Sequence, residues 1–153
     1  MSGRSRHDDP RVQRVIDFFE GLQAGDVQRM ATLYVDDAFF KDPFNEVRSR
    51  DGIERIFAHM CTALDGPRFE IRDVVLQGDQ CFLTWDFRFR MKRFARDEQL
   101  IRGASQIRFA SDGRIAMHRD WWDAAEELYE KLPLLGGLMR AIRRRLRATD
   151  PPR

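Results

Sequence analysis

The sequence predicts an α+β fold, with helices first and an antiparallel sheet after them. Two observations carry this. Up to about residue 65, apolar residues recur at helical spacing. From Phe69 onward they alternate with polar residues over four long segments separated by tight-turn signals. At 153 residues the chain is long enough for one domain with a sizeable core, and 42% hydrophobic with 34% charged residues is an ordinary globular balance.

The elements follow in order. Residues 1–9 are polar, lack the apolar core of a signal peptide and read as a disordered arm. Val12, Val15, Ile16, Phe19 and Leu22 mark a first helix that stops at Ala24-Gly25. Asp26 caps a second helix carrying Met30, Leu33 and Tyr34. Ala38 to Asp42 is a short strand closed by Pro43. Asp51 caps a third helix with Ile53, Ile56, Phe57, Met60 and Leu64 on its apolar stripe, ended by Gly66-Pro67.

Four strands follow, near Phe69–Leu76, Cys81–Lys92, Leu100–Ala110 and Arg114–Trp122. Gln77-Gly78-Asp79 and Ser111-Asp112-Gly113 supply turns. Helical segments from Ala124 to Ala148 close the chain, with breaks expected at Pro133 and Gly136-Gly137. Residues 10–130 read as one domain, and 131–153 as an amphipathic helix and frayed tail. The stripe Leu138, Ile142, Leu146 is expected to pack on the domain or a second subunit, ahead of a membrane surface.

Alternation assigns faces. Leu83, Trp85, Phe87, Phe89 and Met91 point inward in the second long strand, which puts Asp86 outside. Ser105 falls on the inward face of the third. In the last, His118, Asp120 and Trp122 share one face, and Met117, Arg119 and Trp121 the other. An imidazole and a carboxylate together on an inward face are costly to bury unless they line a pocket.

The net charge of +2 gives no argument for a nucleic-acid partner, and aromatic interleaving among the outer-face arginines Arg88, Arg90, Arg102, Arg108 and Arg119 is slight. Cys61 and Cys81 have no metal-ligand spacing and read as reduced thiols of a cytoplasmic protein. His7 and His59 are not at ligand spacing to His118, so no metal site is expected.

The element order resembles the cone-shaped fold of nuclear transport factor 2, ketosteroid isomerase and the SnoaL-like polyketide cyclases. The residues that carry the resemblance are Gly25-Asp26, the run from Tyr34 to Pro43, Arg50-Asp51-Gly52-Ile53, and His118 to Asp123. It implies a curved sheet wrapped by helices and a homodimer formed through the outer sheet face.

The resemblance also puts Asp42 at the isomerase general-base position and Asp120 at the acid/base position of the cyclases and limonene epoxide hydrolases. Phe18 and Ser105 stand where the isomerases carry their oxyanion donors, which argues against steroid isomerisation. The epoxide hydrolases carry an arginine and an aspartate two apart on the second long strand. Thr84-Trp85-Asp86 keeps only the aspartate.

The expected site is therefore Asp42, Asp120 and His118 facing a wall of Phe18, Phe40, Phe57, Trp85, Phe87, Ser105 and Trp122. The expected function is binding and cofactor-free acid–base conversion of a small apolar carbonyl compound. The alternative is a ligand-binding or dimeric interaction module without catalysis. For Asp42 a second local reading stands open, a strand-ending aspartate that caps the turn at Pro43.

Overall fold

A computed structural model describes residues 6–92, 95–127 and 133–146. Its contacts divide the chain into two units, Met1–Trp122 and Asp123–Arg153.

The first unit is α+β. Helix α1 spans Pro10–Glu20, with Pro10 in the first turn where its missing N–H costs nothing. Asp9 is its N-cap and accepts from the Arg11 backbone N–H at 2.8 Å. The Arg11 side chain then reaches Asp79 at 2.7 Å, tying the helix to a hairpin turn. His7 donates its backbone N–H to Gln13 at 2.7 Å, so the end of the expected arm is part of the helix cap; residues 1–5 lie outside the described residues.

A 3-10 helix, Ala24–Thr32, replaces the expected second α-helix. It ends before Tyr34, which instead opens strand β1, Tyr34–Lys41. Strand β2, Glu46–Arg48, has no counterpart in the sequence reading. Helix α2 spans Arg50–Ala63; its cap is Ser49, which accepts from Gly52 at 3.1 Å, and Asp51 sits in the first turn where the helix dipole favours it.

Strands β3 (Leu64–Gln77), β4 (Gln80–Met91), β5 (Ala95–Phe109) and β6 (Ile115–Trp121) follow. Gly66-Pro67 ends the helix early and is absorbed as an irregularity in β3, with Gly66 at φ +58°.

The six strands form one sheet in the order β2-β1-β6-β5-β4-β3. All neighbours are antiparallel except β1 and β6, which pair in parallel. Such a pair needs a long connection, here α2 and three long strands.

Helix α1 packs against β3, and α2 against β1 and β3. Their apolar stripes (Val12, Val15, Ile16 and Phe19; Ile53 and Phe57) cover the inward row Cys81, Leu83, Trp85, Phe87 and Phe89 of β4. Each large side chain so buried contributes roughly 1.5–3 kcal/mol. On the outer face Arg72 bonds Asp86 at 2.6 Å, and Arg88 approaches Glu98 and Glu70 at 3.4 and 3.5 Å.

In the second unit α3 spans Ala124–Glu127 and α4 spans Pro133–Leu146. Helix α4 runs through Gly136-Gly137 without a break, Pro133 standing at its first position. Residues 147–153, including the expected tail, lie outside the described residues. Among the described residues no helix is long and apolar enough to cross a membrane.

Candidate functional site

Strand β6 lies between β1 and β5, and the register dictates what meets its inward side chains. His118 faces Phe40 across β1 and Ile107 across β5, and Asp120 faces Ser105. The shared inward face of His118 and Asp120 is therefore a fact of the fold. His118 is buried, and the Asp120 side chain keeps 16% of its surface exposed.

These residues form a continuous hydrogen-bonded chain. Tyr34 Oη lies 2.6 Å from His118 Nδ1, and His118 Nε2 lies 2.7 Å from Asp120 Oδ1. Ser105 Oγ donates to the same oxygen at 2.5 Å, and Trp85 Nε1 donates to Ser105 Oγ at 2.9 Å. One proton arrangement satisfies every member. An Asp120 carboxylate only accepts, so Nε2 carries the imidazole proton and Nδ1 accepts from the Tyr34 hydroxyl. In an imidazolium both nitrogens would donate, and the buried phenol proton would lose its acceptor.

Tyr34 is held as the neutral phenol: burial pushes its pKa well above 10, and the nearby Asp120 charge adds to the shift. With both ring nitrogens committed to this chain, His118 has no lone pair left for a metal ion.

The chain borders a small cavity of about 20 Å³. Its walls are Phe19, Phe57, Phe69, Ile71, Leu83 and Trp85, with Val15 and Ile107, and its polar groups are Ser105, His118 and Asp120. By this measure it has room for about one water molecule. Asp120 also lines a larger cleft of about 180 Å³ with Lys41, Asp42, Pro43, Arg119, Trp121 and Trp122. This cleft lies where β1 turns away at Pro43 while β6 continues past the last register pair, Lys41 and Arg119. Asp120 thus separates an apolar interior from an open cleft.

The structure brings together Asp120, His118, Ser105, Trp85 and Phe57 at the cavity. It does not bring the others there. Phe18 packs edge-on against Phe19, which takes the cavity position on α1. Phe40 stands behind the site, with its ring edge-on to His118 at 5.0 Å and to Phe57 at 5.6 Å. Phe87 stacks on Phe69 at 4.4 Å. Trp122 lines the cleft instead, with Phe44 edge-on to it at 5.5 Å.

Asp42 also lies in the cleft, but its geometry is that of the turn cap. Its Oδ1 accepts from the backbone of Phe44 at 2.7 Å and of Asn45 at 2.6 Å, and the Asn45 amide spans both of its oxygens. A carboxylate so occupied orders the turn that opens the cleft.

Sequence reasoning missed Tyr34 and Phe69. The signal for Tyr34 was the spacing Tyr34, Ala38, Phe40, which puts all three on the buried face of one strand.

The match to known proteins follows this architecture. Residues 15–118, more than half of the chain, match the SnoaL-like domain family. The chain belongs to that family. A comparison with curated proteins found no match.

Among solved structures, this SnoaL-like domain is similar to a protein of ketosteroid isomerase-like fold from Catenulispora acidiphila in complex with trimethylamine. The two share 15% identity at a TM-score of 0.69, over 80% of this chain and 92% of that one. An LEH-like epoxide hydrolase of M. tuberculosis shares 18% identity at a TM-score of 0.65, over 86% and 94%. TsrD from Streptomyces laurentii shares 18% at 0.67, over 86% and 98%. Identities this low show the fold alone, and that fold carries isomerases, cyclases and epoxide hydrolases.

Proposed function

We propose that this SnoaL-like domain binds a small, largely apolar carbonyl compound and moves a proton next to its carbonyl group, with Asp120 as the base. The observation that carries the reading is the Asp120 carboxylate between an apolar cavity and an open cleft, held by two donors on one oxygen. Oδ1 is fixed by His118 and Ser105, so Oδ2 takes the proton.

As Asp120 becomes neutral, the negative charge passes to the substrate oxygen. The Nε2–H of His118 and the O–H of Ser105 stay on Oδ1, on the cavity side of Asp120, and neither lines the cleft. Tyr34 fixes the tautomer that keeps Nε2 protonated. Asp42 is left out of this scheme because its turn already occupies it. Asp86 bonds Arg72 on the outer face, so the epoxide hydrolase arrangement has no counterpart inside.

The interior cavity is far below the roughly 300–1,000 Å³ of ordinary ligand pockets. A ligand therefore meets Asp120 from the cleft. The same small volume favours a second reading, a binding module without catalysis.

The deciding assay is exchange of α-protons for deuterium, followed by proton NMR, over a panel of enolisable ketones. The wild type is expected to exchange at least one of them above the buffer rate. Asp120→Asn is expected to lose about 100-fold or more, the usual worth of a positioned base, while Asp42→Asn stays within about 3-fold, well under that worth. Equal rates for wild type and Asp120→Asn sink the base. Exchange no faster than buffer for every ketone leaves the binding module.

A further inference from the structure

We propose that the cleft at the fork of β1 and β6 is a recognition site for a carboxylate on a flat aromatic or polyunsaturated body, with Arg119 as its anchor. The proposal rests on the reading of Asp120 as the site's chemical group and adds the class of ligand presented to it.

Four charged side chains line the cleft: Lys41, Asp42, Arg119 and Asp120. Three are already engaged. Lys41 pairs with Glu46, Asp42 closes its own turn, and Asp120 receives His118 and Ser105. Arg119 differs. Its guanidinium carbon lies over the Trp121 indole, 3.8 Å from the ring centroid, and among the described residues no hydrogen bond or ion pair engages it. The Glu46 carboxylate feels its charge only as a lesser influence than Lys41.

Stacking on an indole fixes the plane of a guanidinium and leaves its in-plane N–H groups pointing outward. That is the geometry that grips a carboxylate with two parallel hydrogen bonds. A preoriented guanidinium also loses less side-chain freedom on binding than a free one.

The other walls define the rest of the ligand. Trp122 contributes an indole that Phe44 supports edge-on, and Trp121 is half exposed. Two indoles and a proline beside a cation suit a flat unsaturated body with one acidic end. Arg119 and Asp120 are successive residues whose side chains leave opposite faces of β6, and both reach the cleft only because it opens at the strand's end. A ligand gripped at Arg119 therefore presents a carbon away from its carboxylate to Asp120, across the end of the strand.

The test is calorimetric titration of the whole chain with 2-naphthoate and, separately, with 2-naphthamide, which keeps the shape and removes the charge. The wild type is expected to bind the carboxylate at least 10-fold tighter. Arg119→Gln is expected to erase that preference, and Arg119→Lys to restore only part of it. Asp120→Asn is expected to bind 2-naphthoate at least as tightly as the wild type, because it removes a like charge. Circular dichroism melts check that each variant is folded. Equal affinity for the two compounds, no binding of either at millimolar concentration, or a preference that survives Arg119→Gln each overturns the proposal. The Asp120 reading fails separately, by α-proton exchange, so an Arg119-dependent preference without exchange keeps the anchor and discards the base.

Discussion

Gly103→Ala is the sharpest probe of how the site is held. Gly103 sits directly across from Trp85 in the β4–β5 ladder, and the indole lies over it. A Cβ at residue 103 would stand 2.4 Å from Trp85 Cη2, 2.5 Å from Cζ2 and 2.9 Å from Cζ3. Carbon atoms rest at roughly 3.5–4.0 Å, so the ring must move by about 1 Å or more. It has little freedom to do so, because Nε1 is tethered to Ser105 at 2.9 Å and Phe69 stands edge-on at 5.6 Å.

Overpacking of this kind costs about 1–3 kcal/mol. Losing the indole–serine hydrogen bond adds about 1 kcal/mol. The expected loss is therefore about 2–4 kcal/mol, read as a lower urea midpoint by far-ultraviolet circular dichroism. A double-mutant cycle isolates the cause. In a Trp85→Phe background the outer ring is gone, so adding Gly103→Ala should cost at least about 1 kcal/mol less than it does in the wild type. A Gly103→Ala protein within about 0.5 kcal/mol of wild type, or an undiminished cost in the Trp85→Phe background, would refute the reasoning.

Two further outcomes follow from the same groups. Tyr34→Phe keeps the ring but strips from buried His118 Nδ1 its one donor among the described residues; it should cost about 1–3 kcal/mol in denaturant unfolding, and a loss near zero would show that the phenol donates elsewhere. At high pH, burial raises Tyr34 well above 10 and raises the Cys81 thiol from 9.0 to about 11. Both groups hold their protons more tightly when folded. Their contribution is thus fully present below the unfolded pKa values and is lost as pH rises, from about 9 for Cys81 and from about 10 for Tyr34. The expected slope approaches about 1.4 kcal/mol per pH unit for each group while it titrates. Cys81→Ala should flatten the decline between pH 9 and 11, and an unchanged slope there would contradict the assignment.

Which parts of this were legible depended on the range of the interaction. The alternation of Leu83, Trp85, Phe87 and Phe89 is local, and the structure buries that row as expected. His118 and Asp120 share a face by the same rule. Their inward direction came from the family resemblance, since Trp121 and Trp122 balance the two faces of β6.

Periodicity reports the face of a side chain but not its depth. Phe40 and Phe87 point inward yet stand behind other rings. Tyr34 was hidden for two reasons. Met30, Leu33 and Tyr34 imitate a helical stripe where a 3-10 turn ends, and the partner of Tyr34 lies 84 positions away. For Asp42 the local pattern offered a turn cap, and the structure shows its carboxylate accepting from Phe44 and Asn45 in that turn.

The parallel pairing of β1 with β6 has a consequence for how the protein is made. The antiparallel ladder from β3 to β6 is built from hairpins and can form from neighbouring segments. The β1–β6 contact cannot, because it closes a loop through most of the unit, and contacts of long separation are the slow ones. Tyr34 meets His118 only across that contact. We expect φ-values near zero for Tyr34→Phe and clearly higher ones for substitutions in the β4–β5 ladder, with high values at Tyr34 overturning the order. On this view, ribosome-bound or truncated chains that lack β6 hold no assembled Tyr34–His118–Asp120 hydrogen-bonded chain, which arises only with the completed sheet.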